Sequence, residues 1–470
     1  MACLQALKIY LSWLSLCKDI GVCDSIQQFS DLLDLASFDK FISFRSISCS
    51  EKFSEDLIAC ANWLADYLRT FCEEVCVFPT TNKPVVFAKC RANSAKKEPL
   101  GLYGHYDIQP ADPLQDWWSD PFSLSFKSGR LYGRGAQDNK GQLWYGLQAL
   151  KFLKTNKQLE RDVFLLIEGE EESDGSGTEG FLKSQGKQLF GETRSFLLTD
   201  SIAITENLET ICLGVRGIGW LEVEISGATF ELHQGVHGGL APNPAHELFR
   251  IWSSACEHNF RNVEGFWEGW IGGPSQEALN LVASFQEFQD NYYKQIGAQA
   301  SFKPPCHPWL IGFFPAVDVV GLEAGYTDEG IKPSIPPKAS VKLSIRSAFN
   351  QSTIKVVQSL KNFLKSNLRQ GYSVRTISEG ASCDPYLISL DNPYIQKVAD
   401  VIKGVTGNQV IFNWSGGSLP IVKTFGELGI LPVVFGFGLP EDNIHAPNES
   451  FKLTQMLKGF NVVKNLVLEL

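Results

Sequence analysis

Two segments carry the groups best suited to chemistry. They are Gly104-His105-Tyr106-Asp107 and Gly133-Arg134-Gly135-Ala136-Gln137-Asp138-Asn139-Lys140-Gly141, with Asp138 33 positions after His105. His105 offers an imidazole ligand, and Asp107 a carboxylate that can hold its ring. Asp138, set among glycines, offers two oxygens to bridge two cations. Alone, a His-x-Asp triplet is common by chance, so the downstream residues decide its meaning. Glu168-Gly169-Glu170-Glu171-Glu172, Thr199-Asp200 and Asn443-Ile444-His445-Ala446-Pro447 add carboxylates and a second imidazole. On its own the triple glutamate reads as a solvated acidic patch. Together the set suits two borderline-hard divalent ions, most simply Zn²⁺, on nitrogen and oxygen ligands. Ions ~3.5–4 Å apart can share a water, lower its pKa and polarise a carbonyl. A base must then take the water's proton, and a glutamate beside a ligating one supplies it: Glu172 on metal, Glu171 as base. Glu170/Glu171 is the alternative register.

Elements that could bring these groups together follow from the apolar pattern. Val85-Val86-Phe87, Leu100 to Tyr103, Val163 to Ile167, Phe196 to Thr199 and Ile430 to Phe435 read as buried strands. Helical spacing spans 54–75, with Ser54 as N-cap, and Gln142 to Lys154. Pro393 and Ser450 mark further helix starts. Strands alternating with helices predict an α/β domain with a mixed, mainly parallel sheet and flanking helices. Ligands in such sheets gather outside the carboxyl ends of the strands. His105 and Asp200 end strands there, and Glu171, Glu172 and His445 follow them.

The pattern changes near Gly214. Leu221 to Ile225 and Val341 to Arg346 alternate like half-exposed strands. A helix (Thr353 to Leu368) and another alternating strand (Ser373 to Ser378) follow, so an α+β insertion is expected. Phe266 to Pro308 is expected to be irregular. After Pro385 the first pattern resumes, so one domain is built from both ends of the chain.

At 470 residues the chain exceeds one ordinary core. A net charge of −10 disfavours nucleic acid, which calls for a basic face. The apolar N-terminus lacks a basic flank and an Ala-x-Ala site, so a docked helix is favoured over a signal peptide. No stretch approaches a membrane span. Twelve cysteines without a Cys-x-x-Cys read as reduced, mostly buried thiols in a cytoplasmic protein, with Cys72 and Cys76 neighbours on one helix face.

In order and spacing these motifs resemble the di-metal peptidases and deacylases that include carnosinases, carboxypeptidase G, aminoacylase and succinyl-diaminopimelate desuccinylase. The likeness runs from about Phe41 to the end. Tyr106-Asp107-Ile108-Gln109-Pro110, Leu232-His233-Gln234-Gly235 and Gly416-Gly417-Ser418-Leu419-Pro420 resemble the carnosinase-like dipeptidase branch. The resemblance implies a catalytic domain of 1–209 and 383–470 and an inserted lid and dimerisation domain of 210–382. It implies one metal on His105, Asp138 and Asp200, and another on Asp138, Glu172 and His445, as Zn²⁺ with Mn²⁺ or Co²⁺ as alternatives. Asp107 would orient His105, and Glu171 would be the base. His233 would stabilise the oxyanion from the partner of a homodimer, with His237 its rival. Arg346, Gly417 and Ser418 would meet the substrate's free carboxylate.

Three departures stand out. Asn139 replaces an Asp found in many relatives, with a small effect expected. Ser173-Asp174-Gly175-Ser176 has one residue more than the usual Ser-Gly-Ser after the glutamate pair. Asn413-Trp414-Ser415 stands where carnosinase-like enzymes usually have Arg-Glu before the glycines, so their specificity is not carried over. The expected activity is hydrolysis of a dipeptide or other small amide. An N-acyl amino acid deacylase and a non-catalytic binding protein are the rival readings.

Overall fold

The structure is a computed structural model. It describes residues 32–470 except 174, 284, 286–291, 293–296 and 298–305. The N-terminal helix, Asp174 and part of the aromatic-rich stretch therefore lie outside the described residues. The chain forms two compact units. One comprises Met1–Leu213 (described from residue 32), Ser389–Phe412 and Thr424–Leu470; the other comprises Gly214–Ile388 and Asn413–Lys423. The sequence reading assigned Asn413–Lys423 to the catalytic domain, but this stretch groups with the inserted unit. Local bonding explains the difference: Ser415 N donates to Gly214 O at 2.8 Å and Arg216 N to Gly417 O at 2.9 Å.

In the first unit four parallel strands lie side by side in the order Val163–Glu168, Leu100–His105, Ser195–Leu198, Leu431–Gly436. Val85–Cys90 and Glu74–Phe78 extend one side antiparallel, and residues 210–212 pair antiparallel at the other. The Val163–Glu168 and Leu100–His105 strands are buried throughout, as continuous apolar runs in parallel sheets should be. Register sets His105 opposite Glu168.

The helix Lys140–Thr155 is buried along most of its length. Trp144 stacks on Phe38 and Trp63, and its Nε1 donates to Leu33 O at 2.6 Å. Burying a side chain of this size contributes about 1.5–3 kcal/mol. At the helix start, the buried Lys140 Nζ donates to Phe41 O (3.0 Å) and Phe44 O (2.9 Å). These contacts fix the helix whose first turn follows Asp138.

Three local expectations change. The Ser54–Leu68 helix starts at Ser54 itself, because a 3₁₀ turn at Glu51–Phe53 precedes it. It ends at Leu68, so buried Cys72 lies beyond it and exposed Cys76 falls on the Glu74–Phe78 strand. Ser450 pairs with Tyr132 in a strand, and the closing helix is Leu453–Glu469. Pro393 does begin a helix, capped by the Asn392 side chain.

The second unit holds an antiparallel sheet ordered Ala316–Ala324, Lys338–Ser347, Gly217–Ser226, Ser373–Cys383. Alternate residues, including Leu221, Val223, Leu343 and Ile345, pack with Leu248 and Ile251 of helix Pro244–Glu257 and Val357 and Leu360 of helix Thr353–Ser366. No helix among the described residues is long and apolar enough to cross a membrane.

Candidate metal centre

The carboxyl ends of the four parallel strands carry the predicted groups. His105 closes its strand, Glu171 and Glu172 follow Glu168, Asp200 follows Leu198, and His445 lies in the segment after Gly436. Asp138 precedes Asn139, the N-cap of the Lys140–Thr155 helix. All six belong to the first unit.

Asp138 faces both imidazoles, one oxygen to each. Its Oδ1 is 3.4 Å from His105 Nε2, and its Oδ2 is 3.0 Å from His445 Nε2. Glu172 Oε1 lies 3.1 Å from His445 Nε2. Glu171 Oε2 and Asp200 Oδ2 lie 3.9 and 4.0 Å from His105 Nε2. Two sets of candidate donor atoms fall within 4.8 Å of one another: His105, Glu171 and Asp200, and His105, Asp138 and Glu172. The first differs from the implied triad by holding Glu171 in place of Asp138.

His105 is fully buried, and its Nδ1 lies 3.1 Å from Asp107 O. A carbonyl only accepts, so Nδ1 carries the proton and Nε2 faces the carboxylates. That buried Nε2 makes no hydrogen bond. An orphaned imidazole nitrogen amid carboxylate oxygens is what a divalent cation would complete.

The electrostatics agree. Burial, then the charges of Asp200, Glu172 and Asp138, pushes Glu171 well above the usual carboxylate range. Burial, with Asp138 and Glu172, raises Asp200 to about 7. Burial would also raise Asp138, but His105 and His445 outweigh it and hold its carboxyl low. Bonds to Asp138 and then Glu172 raise His445 to about 10. Excess negative charge of this kind is relieved by bound cations. His445 also has a left-handed backbone, φ 61°, a conformation that costs a non-glycine residue roughly 1–3 kcal/mol and clusters at functional sites.

Three side chains brace the cluster. Asp107, besides its contact with His105, accepts from the backbone N–H of Glu171 (3.3 Å) and Glu172 (3.0 Å). Its role is thus wider than orienting one ring. Asn139 Oδ1 accepts from His105 N at 3.3 Å, while Nδ2 donates to Thr199 O at 2.7 Å and Asp200 Oδ1 at 3.1 Å. Glu449, fully buried, accepts from Gly135 N (2.9 Å), Gln137 N (3.0 Å), Asp138 N (3.0 Å) and Arg134 Nη1 (2.8 Å). Sequence reasoning missed Glu449 and undervalued Asn139. Gly141 permits the tight turn, since a Cβ there would lie 1.9 Å from Ala136 O. Glu170 points elsewhere, accepting from Thr178 N.

The remaining predicted residues belong to the second unit. Arg346 Nη1 donates to Ser418 Oγ at 2.7 Å. Gly417 N donates to Ser415 Oγ at 2.9 Å. His233 is exposed on a two-residue strand paired with Ser334, and His237 is half-buried in the helical turn after it.

A mixed sheet that gathers imidazoles and carboxylates at its strand ends defines a class, the metal-dependent hydrolases of α/β type. Residues 101–469 match Peptidase family M20/M25/M40, and the chain belongs to that family. It is similar to a Cys-Gly metallodipeptidase of Candida albicans, 26% identical over 460 residues, 89% of this chain and 91% of that protein. It is 24% identical over 398 residues to the human Beta-Ala-His dipeptidase, 82% of this chain and 77% of that protein. Among solved structures, the M20 family metallo-carboxypeptidase Sso-CP2 from Sulfolobus solfataricus shares 27% identity with a TM-score of 0.81, covering 92% of this chain and 98% of that one.

Proposed function

We propose that the protein is a metal-dependent dipeptidase, with Glu171 as general base and His105, Asp138, Glu172, Asp200 and His445 as ligands of two divalent ions, most simply Zn²⁺. The observation that carries the reading is Asp138, whose two oxygens face His105 and His445 separately. When bound, two such ions supply an activated water and a polarised amide carbonyl. Glu171 takes the proton from the attacking water and hands it to the leaving amine. Its burial among carboxylates supports that role by keeping its proton affinity high. Asp107 holds the His105 ring and the Glu171-Glu172 backbone. Arg346, Ser418 and Gly417 hold the substrate's free carboxylate, a task suited to a guanidinium.

A homodimer through the inserted unit belongs to this reading, with His233 stabilising the oxyanion. The outer edge of the Ala316–Ala324 strand supports it, because Val319, Val320 and Leu322 are 42%, 66% and 52% exposed there, and such edges recruit partners. A cytoplasmic setting is supported by thiols that behave as small core side chains: Cys60, Cys72, Cys90 and Cys212 are buried.

The test is Glu171→Ala. Turnover of dipeptides should fall at least ~10²–10⁴-fold, while elemental analysis still finds two metals per chain. Full activity in the variant would sink the assignment. Comparing dipeptides with their N-acetyl forms separates a dipeptidase from a deacylase.

A further inference from the structure

We infer that Arg216 is a second cation of the carboxylate-holding loop, fixing the loop's backbone and adding its own charge to an anion bound there. This rests on the proposal that Arg346, Gly417 and Ser418 hold the substrate's free carboxylate.

Arg216 lies between the strands Leu208–Val215 and Gly217–Ser226 and is only 9% exposed. Its backbone N donates to Gly417 O at 2.9 Å, its Nε to Gly416 O at 2.8 Å and its Nη1 to Phe314 O at 3.2 Å. Arg346 binds the next residue, Ser418. Three consecutive residues are thus tied to two arginines, Gly416 and Ser418 through guanidiniums and Gly417 through the Arg216 backbone. Gly416 admits the first of them: a Cβ there would lie 2.8 Å from Ile311 Cγ2 and 3.0 Å from Arg216 Nη2. The Nη2 of Arg216 makes no hydrogen bond to a described residue.

Charge separates this arrangement from a loop staple. Burial, then the charge of Arg346, lowers Arg216 to about 10. Neither arginine forms an ion pair within 4.0 Å among the described residues; Asp318 acts on both only at longer range. A buried cation beside another, with no carboxylate in contact, is unfavourable until an anion arrives. Guanidiniums match carboxylate and phosphate geometry, and the proposed role of the Arg346–Ser418 loop makes the ligand a carboxylate.

The test compares a dipeptide with its C-terminal amide on the metal-loaded enzyme. Arg216→Met should raise KM for the dipeptide about 10- to 100-fold, the scale of a lost charge-assisted interaction. Its kcat should stay within about threefold, and KM for the amide should rise clearly less than KM for the dipeptide. Arg216→Lys, which keeps the charge and loses the fork, should raise the dipeptide KM by less. Metal content and melting temperature report whether each variant is folded. If Arg216→Met is insoluble, Arg216→Lys decides, and a dipeptide KM equal to wild type overturns the inference. An unchanged acid-to-amide preference in Arg216→Met also overturns it, as does an equal loss on both substrates. Wild type that fails to prefer the acid would instead remove the underlying carboxylate assignment. Wild-type preference lost in Arg346→Met but kept in Arg216→Met would remove the Arg216 inference alone.

Discussion

Glu449→Gln should weaken metal binding at the candidate centre without touching a proposed ligand. In wild type Glu449 Oε1 accepts from Gln137 N and Asp138 N, and Oε2 from Gly135 N and Arg134 Nη1. Glutamine has the same shape but one acceptor oxygen, so one of these two donor pairs meets an amide N–H instead. Arg134 also loses its counter-ion, and both partners are about 1% exposed. Breaking a buried ion pair on one side costs about 3–5 kcal/mol, and an orphaned buried N–H adds roughly 1–3 kcal/mol. The strain falls on residues 134–138, which carry Asp138. Metal binds only chains in which that loop is formed, so the loss appears as weakened affinity. Outer residues of this kind are worth about 10- to 100-fold in metal affinity. Because Asp138 faces both imidazoles, both ions should be affected. The assay is competition with a chromophoric chelator, read beside thermal melts of stripped and loaded protein. Glu449→Gln protein that binds two ions with wild-type affinity and melts with wild type would refute the reasoning.

Asn139→Ala should act on one side only: metal held by His105 and Asp200 should weaken about 10- to 100-fold while the other ion is retained, so native mass spectrometry at limiting metal should count one ion. Equal loss of both would show that the effect ran through Asp138 instead. Protein stripped with chelator should melt at lower temperature as pH rises. Asp200 (3.8 raised to about 7, burial first) and His445 (6.5 raised to about 10, bonded to Asp138 and Glu172) both bind protons more tightly when folded. Their stabilisation is therefore full below the unfolded values and is lost as pH climbs through 3.8–7 for Asp200 and 6.5–10 for His445. Added divalent metal should flatten that slope, and a stripped protein whose melting temperature holds or rises from pH 6.5 to 10 contradicts the assignment.

What could be read from the chain, and what could not, follows from the range of each interaction. The parallel strands were legible because burial on both faces writes an unbroken apolar run, and their carboxyl ends then named where polar groups would gather. His105, Glu171, Glu172, Asp200 and His445 were legible because imidazoles and acids at such ends have few other uses. Glu449 was not, because its partners lie more than 300 positions away and nothing local distinguishes it from a loop acid. Ser450 was misread for the same reason: a good N-cap by sequence, it is drawn into a strand by Tyr132, far off in the chain. Asn139 is the sharpest case. Judged as a non-ligand, its replacement of aspartate looked minor. Its amide donates to a carbonyl and a proposed ligand and accepts from another ligand's backbone, a combination an ionised carboxylate cannot make. A substitution beside a metal ligand is therefore weighed by the donors and acceptors it must satisfy, and those become visible only once the strands have brought His105 and Thr199-Asp200 to either side of it.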